Sequence, residues 1–208
     1  MIPLTRRFLI LGAAGSGKSY FARRLRLRWP YSVYVDTQHQ IMENVIVADI
    51  PGPAFWKLLT EKRHVGIRLS NSNSLEGWYI QFLVYLSKLR AQGFTADVLL
   101  VAEESGYYGL SHYASHVQVF DDIILRSRIK HSTAIILHDL HQVPSTLLNA
   151  GVTDIIHFRP GPSQKAAKYL EERYPALGVE VAKVAAKPYS YAHYDVISQK
   201  ARFCEAVK

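Results

Sequence analysis

The stretch Gly12-Ala13-Ala14-Gly15-Ser16-Gly17-Lys18-Ser19 constrains this chain more than any other. It fits G-x-x-x-x-G-K-[ST], a loop whose backbone N–H groups curl around phosphate at a helix N-terminus, where the helix dipole also favours anions. Given average residue frequencies, a chance match is on the order of one chain in a hundred, before any flanking structure is demanded. The flanks then supply the context the motif needs. Phe8-Leu9-Ile10-Leu11 is a short apolar run suited to a buried strand, and Tyr20 to Trp29 has no Gly or Pro and reads as a helix. The expected contact set is Ala14, Gly15, Ser16, Gly17, Lys18, Ser19 and Tyr20. In it Lys18 reaches the β- and γ-phosphates, and the Ser19 hydroxyl takes a place on Mg²⁺.

Further along, Tyr31 to Asp36 alternates, is rich in β-formers and reads as a second strand ending in an acid. The helix before it carries Arg23, Arg24, Arg26 and Arg28, a set that could touch phosphate backbones but more simply makes a solvated face. Asn44 to Asp49 is another apolar run. Asp49-Ile50-Pro51-Gly52 imitates the D-x-x-G switch of GTPases, yet the sequence has no N-K-x-D guanine-reading element. Pro51-Gly52-Pro53 therefore reads as a turn opening a helix from Ala54 to Lys62. His64 to Leu69 is expected as a strand and Leu75 to Gln92 as a long helix closed by Gly93. Trp78, Phe82, Tyr85 and Leu89 recur at three- and four-residue steps on that helix, which marks core and not a base-stacking platform.

The most strand-like run is Asp97 to Ala102, and it ends in Glu103-Glu104. Two carboxylates delivered at the C-terminal tip of a buried parallel strand have the form of a Walker B element. His112 and His116 are spaced i, i+4 but lack a third ligand of suitable spacing for zinc. Val117 to Arg128 reads as a helix bearing Arg126 and Arg128. Thr133 to Leu137 reads as a buried strand with His138 and Asp139 at its tip. Asp154 to Phe158 is a further strand, Ser163 to Tyr174 a helix, and Tyr189 to Val196 alternates like an edge strand, with a hairpin closing near Ser198. No repeat, linker or low-complexity segment interrupts the series, so residues 1–208 are expected to form one α/β domain.

Composition narrows the setting. Hydrophobic content of 49% with 20% charged residues fits a globular chain and excludes a disordered one. No apolar run of about eighteen residues is present, so no transmembrane segment is expected. The single cysteine, Cys204, rules out an intramolecular disulfide and suits a reducing compartment. A net charge of +8 suggests a polyanionic partner, which a nucleotide alone would not require.

The order of these elements resembles the FtsK/HerA superfamily of ring-forming ATPases. It is most similar to the small genome-packaging ATPases of membrane-containing icosahedral viruses, over nearly the whole chain. That resemblance implies a P-loop NTPase three-layer sandwich of the ASCE/RecA-like kind, with a mainly parallel sheet and helices on both faces. It implies Mg²⁺-dependent hydrolysis of ATP by a ring of identical subunits, hexameric by analogy, that drives double-stranded DNA into a capsid. Capsid or portal-vertex proteins are then further partners, and host cytoplasm or virion the location. Carried over by position, Lys18 and Ser19 are the phosphate and Mg²⁺ ligands, Glu103 holds Mg²⁺, and Glu104 orients the attacking water. An alternative alignment puts Ala102 at the metal position and makes Glu103 the base. Arg128 matches the arginine donated to the neighbouring subunit's γ-phosphate, with Arg126 in reserve. His138-Asp139 stands where the family tends to carry a Thr-Gln sensor. Two other readings remain open at this point: a small-molecule or nucleoside kinase using Asp36 as its acceptor-site acid and the 159–173 region as its arginine-rich lid, and a nucleotide-gated assembly switch that does not translocate.

Overall fold

Residues 5–36, 41, 43–47, 51–69, 75–102, 131–138, 148, 151–161 and 164–206 are described by the computed structural model. The apolar run before the glycine loop is strand β1 (Arg7–Leu11), and the loop opens helix α1 (Lys18–Arg26). There follow β2 (Tyr31–Val35), β3 (Val45–Val47), α2 (Pro53–Lys62), β4 (His64–Arg68), α3 (Leu75–Ala91) and β5 (Val98–Ala102). After β6 (Ser132–Leu137) and β7 (Asp154–His157) come α4 (Gln164–Arg173), α5 (Pro175–Val184), β8 (Tyr191–Asp195) and β9 (Lys200–Cys204).

Among the described residues the strands form one sheet in the order β3-β4-β2-β5-β6-β1-β7-β8-β9. All pairings from β3 through β7 are parallel, and β8 and β9 add an antiparallel hairpin at one edge. Alternation along the strands divides the core between two faces. Leu9 and Leu11 of β1 join the cluster beneath α2, α3 and α5, built on Phe55, Trp56, Trp78, Phe82, Leu177 and Val181. Ile10 points the other way, to the cluster that holds Ala22 and Leu25 of α1. Helices thus cover both faces, which is why β5 and β6 are buried along their whole length, β5 as an unbroken apolar run and β6 as one from Ala134 onward.

The rings of α3 are core, as expected. Trp56 stacks on Tyr85 at 4.3 Å and on Phe82 at 5.6 Å. Gly93 closes α3 with φ +92°, its N–H bonding to Arg90 and the Phe94 N–H to Leu89, the paired bonds of a Schellman cap. Three details differ from the sequence reading. Helix α1 ends at Arg26, and the amides of Leu27, Arg28 and Trp29 bond three residues back in a tighter turn ahead of Pro30. Helix α5 is additional to the expected elements, although Pro175 at its first turn and Leu177, Val181 and Val184 on its buried face are ordinary helix signals. Strand β8 is interior and β9 is the edge. The alternation of β8 arises because Ala192 and Tyr194 pack into the core while Tyr191 and His193 face the thinner side.

Candidate functional site

The glycine loop has the backbone its spelling demands. Gly12, Gly15 and Gly17 have φ of +145°, +69° and +104°, all in the region that side-chain-bearing residues avoid. Gly12 is also crowded: a Cβ there would lie 2.7 Å from the Phe158 Cβ and 3.2 Å from the Arg159 carbonyl oxygen. The loop is pinned to the tip of β7 by the Ala13 N–H, which donates to that same Arg159 carbonyl at 2.9 Å. Gly17 is the N-cap of α1. The first amide to close a helical turn is that of Phe21, onto the Gly17 carbonyl at 2.9 Å. The amides of Ser19 and Tyr20 consequently stand at the open, electropositive end of the helix.

Two buried polar groups belong to this loop. Lys18 is only 7% exposed, and its Nζ donates to the carbonyls of Gly12 at 2.7 Å and Ala13 at 2.8 Å. Those bonds hold an ammonium inside the loop, the place where phosphate charge would meet it. The Ser16 hydroxyl is buried with no hydrogen-bond partner among the described residues. An orphaned hydroxyl of this kind is costly in a finished interior and fits a site shaped for an oxygen-rich ligand. Ala14 and Gly15 are exposed at the loop's crest, and Ser19 is half-buried on the first turn of α1.

Sheet register assembles the remaining positions. Leu11 pairs with Leu137 on one side and with His157 on the other. His138, one residue past β6 and exposed, therefore sits on the same C-terminal edge as the glycine loop. Strand β6 separates β1 from β5, whose last residue, Ala102, is level with Val35 and Ile135. Glu103 and Glu104 follow Ala102 directly in sequence. They lie outside the described residues, as do Arg126, Arg128, Asp139 and the His112–His116 pair. The crevice at the carboxyl ends of a parallel sheet is the general ligand position for such folds.

Asp36 is on this edge too, but it has a structural job. It is 1% exposed, accepts the Ile41 N–H at 3.0 Å and pairs with Arg68 at 3.5 Å, while Arg68 also bonds the Ile41 carbonyl at 2.7 Å. A carboxylate committed to tying β2, β4 and the intervening chain together makes a poor base for an acceptor hydroxyl.

Sequence reasoning missed the far wall of the site. A cleft of about 340 Å³ opens beside the loop, lined by Gly17, Tyr20, Phe21, Phe158, Tyr189 and Ala206. Tyr20 stood in the expected contact set, whereas Phe158 directly follows β7, and Tyr189 and Ala206 flank the C-terminal hairpin, distant in sequence and unmarked by any motif. Among the described residues no cluster of three metal-ligating side chains is found.

Loop, sheet order and layering define the P-loop NTPase fold, in the form with one strand, β6, between the phosphate-loop strand β1 and β5. Among solved structures, the chain is similar over 98% of its length to 98% of the genome-packaging NTPase B204 from Sulfolobus turreted icosahedral virus 2, determined in complex with ATP-γ-S, at TM-score 0.71 and 17% identity. It is similar over the whole of both chains to B204, the DNA-packaging ATPase from Sulfolobus turreted icosahedral virus, at TM-score 0.69 and 18% identity. A more distant likeness, at TM-score 0.56 and 11% identity, is to 24% of the cytoplasmic domain of the Thermomonospora curvata type VII secretion ATPase EccC. No protein-family model matches the sequence, and no curated protein does.

Proposed function

We propose that this chain is a DNA-translocating ATPase that packages double-stranded viral DNA, working as a ring of subunits with ATP held between neighbours. The observation that carries this reading is the pairing of a formed phosphate cradle with a whole-chain likeness to packaging NTPases. The cradle is made of three positive-φ glycines, the buried Lys18 ammonium and the open N-terminus of α1. The likeness spans 98% or more of each chain. A net charge of +8 is consistent with a polyanionic partner.

In this mechanism the chain acts by positioning and electrostatics. The loop amides and Lys18 grip the β- and γ-phosphates. Ser19 and Glu103 are the residues that would hold Mg²⁺, which when bound neutralises phosphate oxygens. Glu104 orients and deprotonates the attacking water. Arg128 of the adjacent subunit, with Arg126 as the reserve, meets charge building on the γ-phosphate, and His138 and Asp139 relay the state of the site from the β6 tip. The kinase alternative is weakened because Asp36 is buried against Arg68.

The test is steady-state ATP hydrolysis measured across protein concentrations, with and without long double-stranded DNA. Turnover should rise with both, and Lys18→Ala should remove it. Turnover indifferent to concentration and DNA, but switched on by a nucleoside, would move the assignment to a kinase.

A further inference from the structure

The cleft beside the loop holds a backbone anomaly that the phosphate chemistry does not use. Lys187-Pro188-Tyr189-Ser190 forms a turn in which the Ser190 N–H reaches back to the Lys187 carbonyl. Proline at the second position and positive φ at the third is the type II β-turn pattern, whose third position ordinarily belongs to glycine. Here it is Tyr189, at φ +60° and 62% exposed. The turn is held firmly, since the buried Ser190 hydroxyl donates to the Lys187 carbonyl at 2.7 Å beneath the end of α5. A large side chain kept in a strained, exposed conformation by its surroundings is a signature of a working site.

The ring is aimed at the phosphate loop. A Cβ on Gly17 would lie 3.3 Å from Tyr189 Cδ1, so the tyrosine packs directly over the N-cap of α1. Tyr20, 44% exposed, rises from the first turn of the same helix into the same cleft. Behind them Phe21, Phe158 and Tyr191 pack ring to ring at 4.9–5.7 Å and make a rigid apolar floor. The volume falls within the roughly 300–1,000 Å³ of small-molecule sites. Gly17 belongs to both the cradle and the cleft, so the cleft lies within reach of a ligand whose phosphates occupy the loop.

We infer that Tyr189 and Tyr20 hold the nucleobase by stacking alone, so that the site accepts adenine and guanine nucleotides with similar affinity. The inference rests on reading Gly12–Ser19 as the phosphate cradle. Among the described residues the lining side chains are four aromatic rings and a methyl group, with no carboxylate or amide to read a purine edge. Stacking is tolerant because every base presents a π-face. Sites that read a base or side chain through buried hydrogen bonds discriminate by about 10⁴-fold or more, whereas among the described residues the side-chain hydrogen-bonding groups of this lining are two tyrosine hydroxyls, each able to donate or accept and so indifferent to which purine edge it meets.

The experiment is calorimetric titration of wild type, Lys18→Ala, Tyr189→Ala, Tyr189→Gly and Tyr189→Phe with ATP, GTP and inorganic tripolyphosphate, alongside thermal melts. Wild type should bind ATP and GTP within about tenfold of each other. Tyr189→Ala and Tyr189→Gly should weaken both nucleotides by roughly tenfold to a hundredfold and leave tripolyphosphate binding unchanged, while Tyr189→Phe binds as wild type. Tyr189→Gly should melt no lower than wild type, which separates a lost stacking partner from a damaged fold. Lys18-dependent tripolyphosphate binding together with wild-type ATP affinity in Tyr189→Ala would overturn the stacking assignment and leave the cradle standing. A preference of a thousandfold or more for one purine would do the same. Failure of wild type to bind either tripolyphosphate or ATP would overturn the cradle, and this inference with it.

Discussion

Gly12 and Gly15 both have positive φ, yet they should respond differently to a methyl group. At Gly15, φ +69°, an added Cβ meets nothing within 4 Å. The cost of Gly15→Ala is then the conformational term alone, about 1–2 kcal/mol. At Gly12 the same methyl meets the Phe158 Cβ at 2.7 Å and the Arg159 carbonyl at 3.2 Å, atoms fixed by the β7 tip and by the Ala13 bond. The loop has to move, so Gly12→Ala should add a steric penalty and exceed Gly15→Ala by about 1–3 kcal/mol. Urea unfolding of the two variants measures the difference, and equal losses would mean that close packing against β7 is not what reserves position 12 for glycine. Gly12→Ala should also lose tripolyphosphate binding, because the Gly12 carbonyl and the Lys18 ammonium it positions move together.

Where elements meet, charge decides the pH response. His64 opens β4 against the end of α1, with its Nδ1 3.0 Å from the Ser32 hydroxyl of β2. Burial, and then the cations of Arg26 and Arg63, hold its pKa below the ordinary 6.5. A histidine whose folded pKa is depressed favours the neutral form on folding. Its stabilising contribution is complete above pH 6.5 and is lost as pH falls toward the folded value. Wild type should therefore unfold at lower urea near pH 5.5 than near pH 7.5, and His64→Gln should flatten that difference. Asp154 does not confuse the result. Burial would raise its pKa, but bonds from His193 and Thr153 and the Arg6 charge hold it below 3.8, so its contribution is lost only in stronger acid. The same elements mark how far the sequence could be read. The apolar run Phe8 to Leu11, the Pro53 start of α2 and the Gly93 stop of α3 are local signals, and each of these elements lies within a residue or two of its expected place. The glycine loop was fully legible because its backbone angles are written in its residue types. Tyr189 was not: its role comes from a turn that defies the glycine rule and from packing over Gly17, a residue near the opposite end of the chain. Arg63, at φ +64° beyond α2, breaks the same rule and was equally invisible.

At the scale of the whole molecule, the proposed ring divides one active site between two chains. The cradle, with Lys18, belongs to the subunit that holds ATP, and Arg128 is assigned to its neighbour. That division makes a prediction no single-chain mechanism shares. Lys18→Ala and Arg128→Ala proteins should each be nearly inactive alone, the second because loss of a trans arginine costs roughly 10³-fold or more in rate. Mixed in equal amounts, they should recover activity. An Arg128→Ala subunit keeps its cradle, and a Lys18→Ala subunit placed beside it keeps the arginine. In a randomly mixed ring about one interface in four unites the two intact halves, so turnover should return to about a quarter of wild type if sites fire independently, and to less if they fire in sequence. Hydrolysis in the mixture should also fall on dilution, as rings dissociate. A mixture no more active than its parts, at concentrations where wild type turns over, would place both groups on one chain or remove Arg128 from the chemistry. Repeating the mixture with Arg126→Ala in place of Arg128→Ala then assigns the donor, because only the variant lacking the true trans arginine is both inactive alone and rescued by its partner.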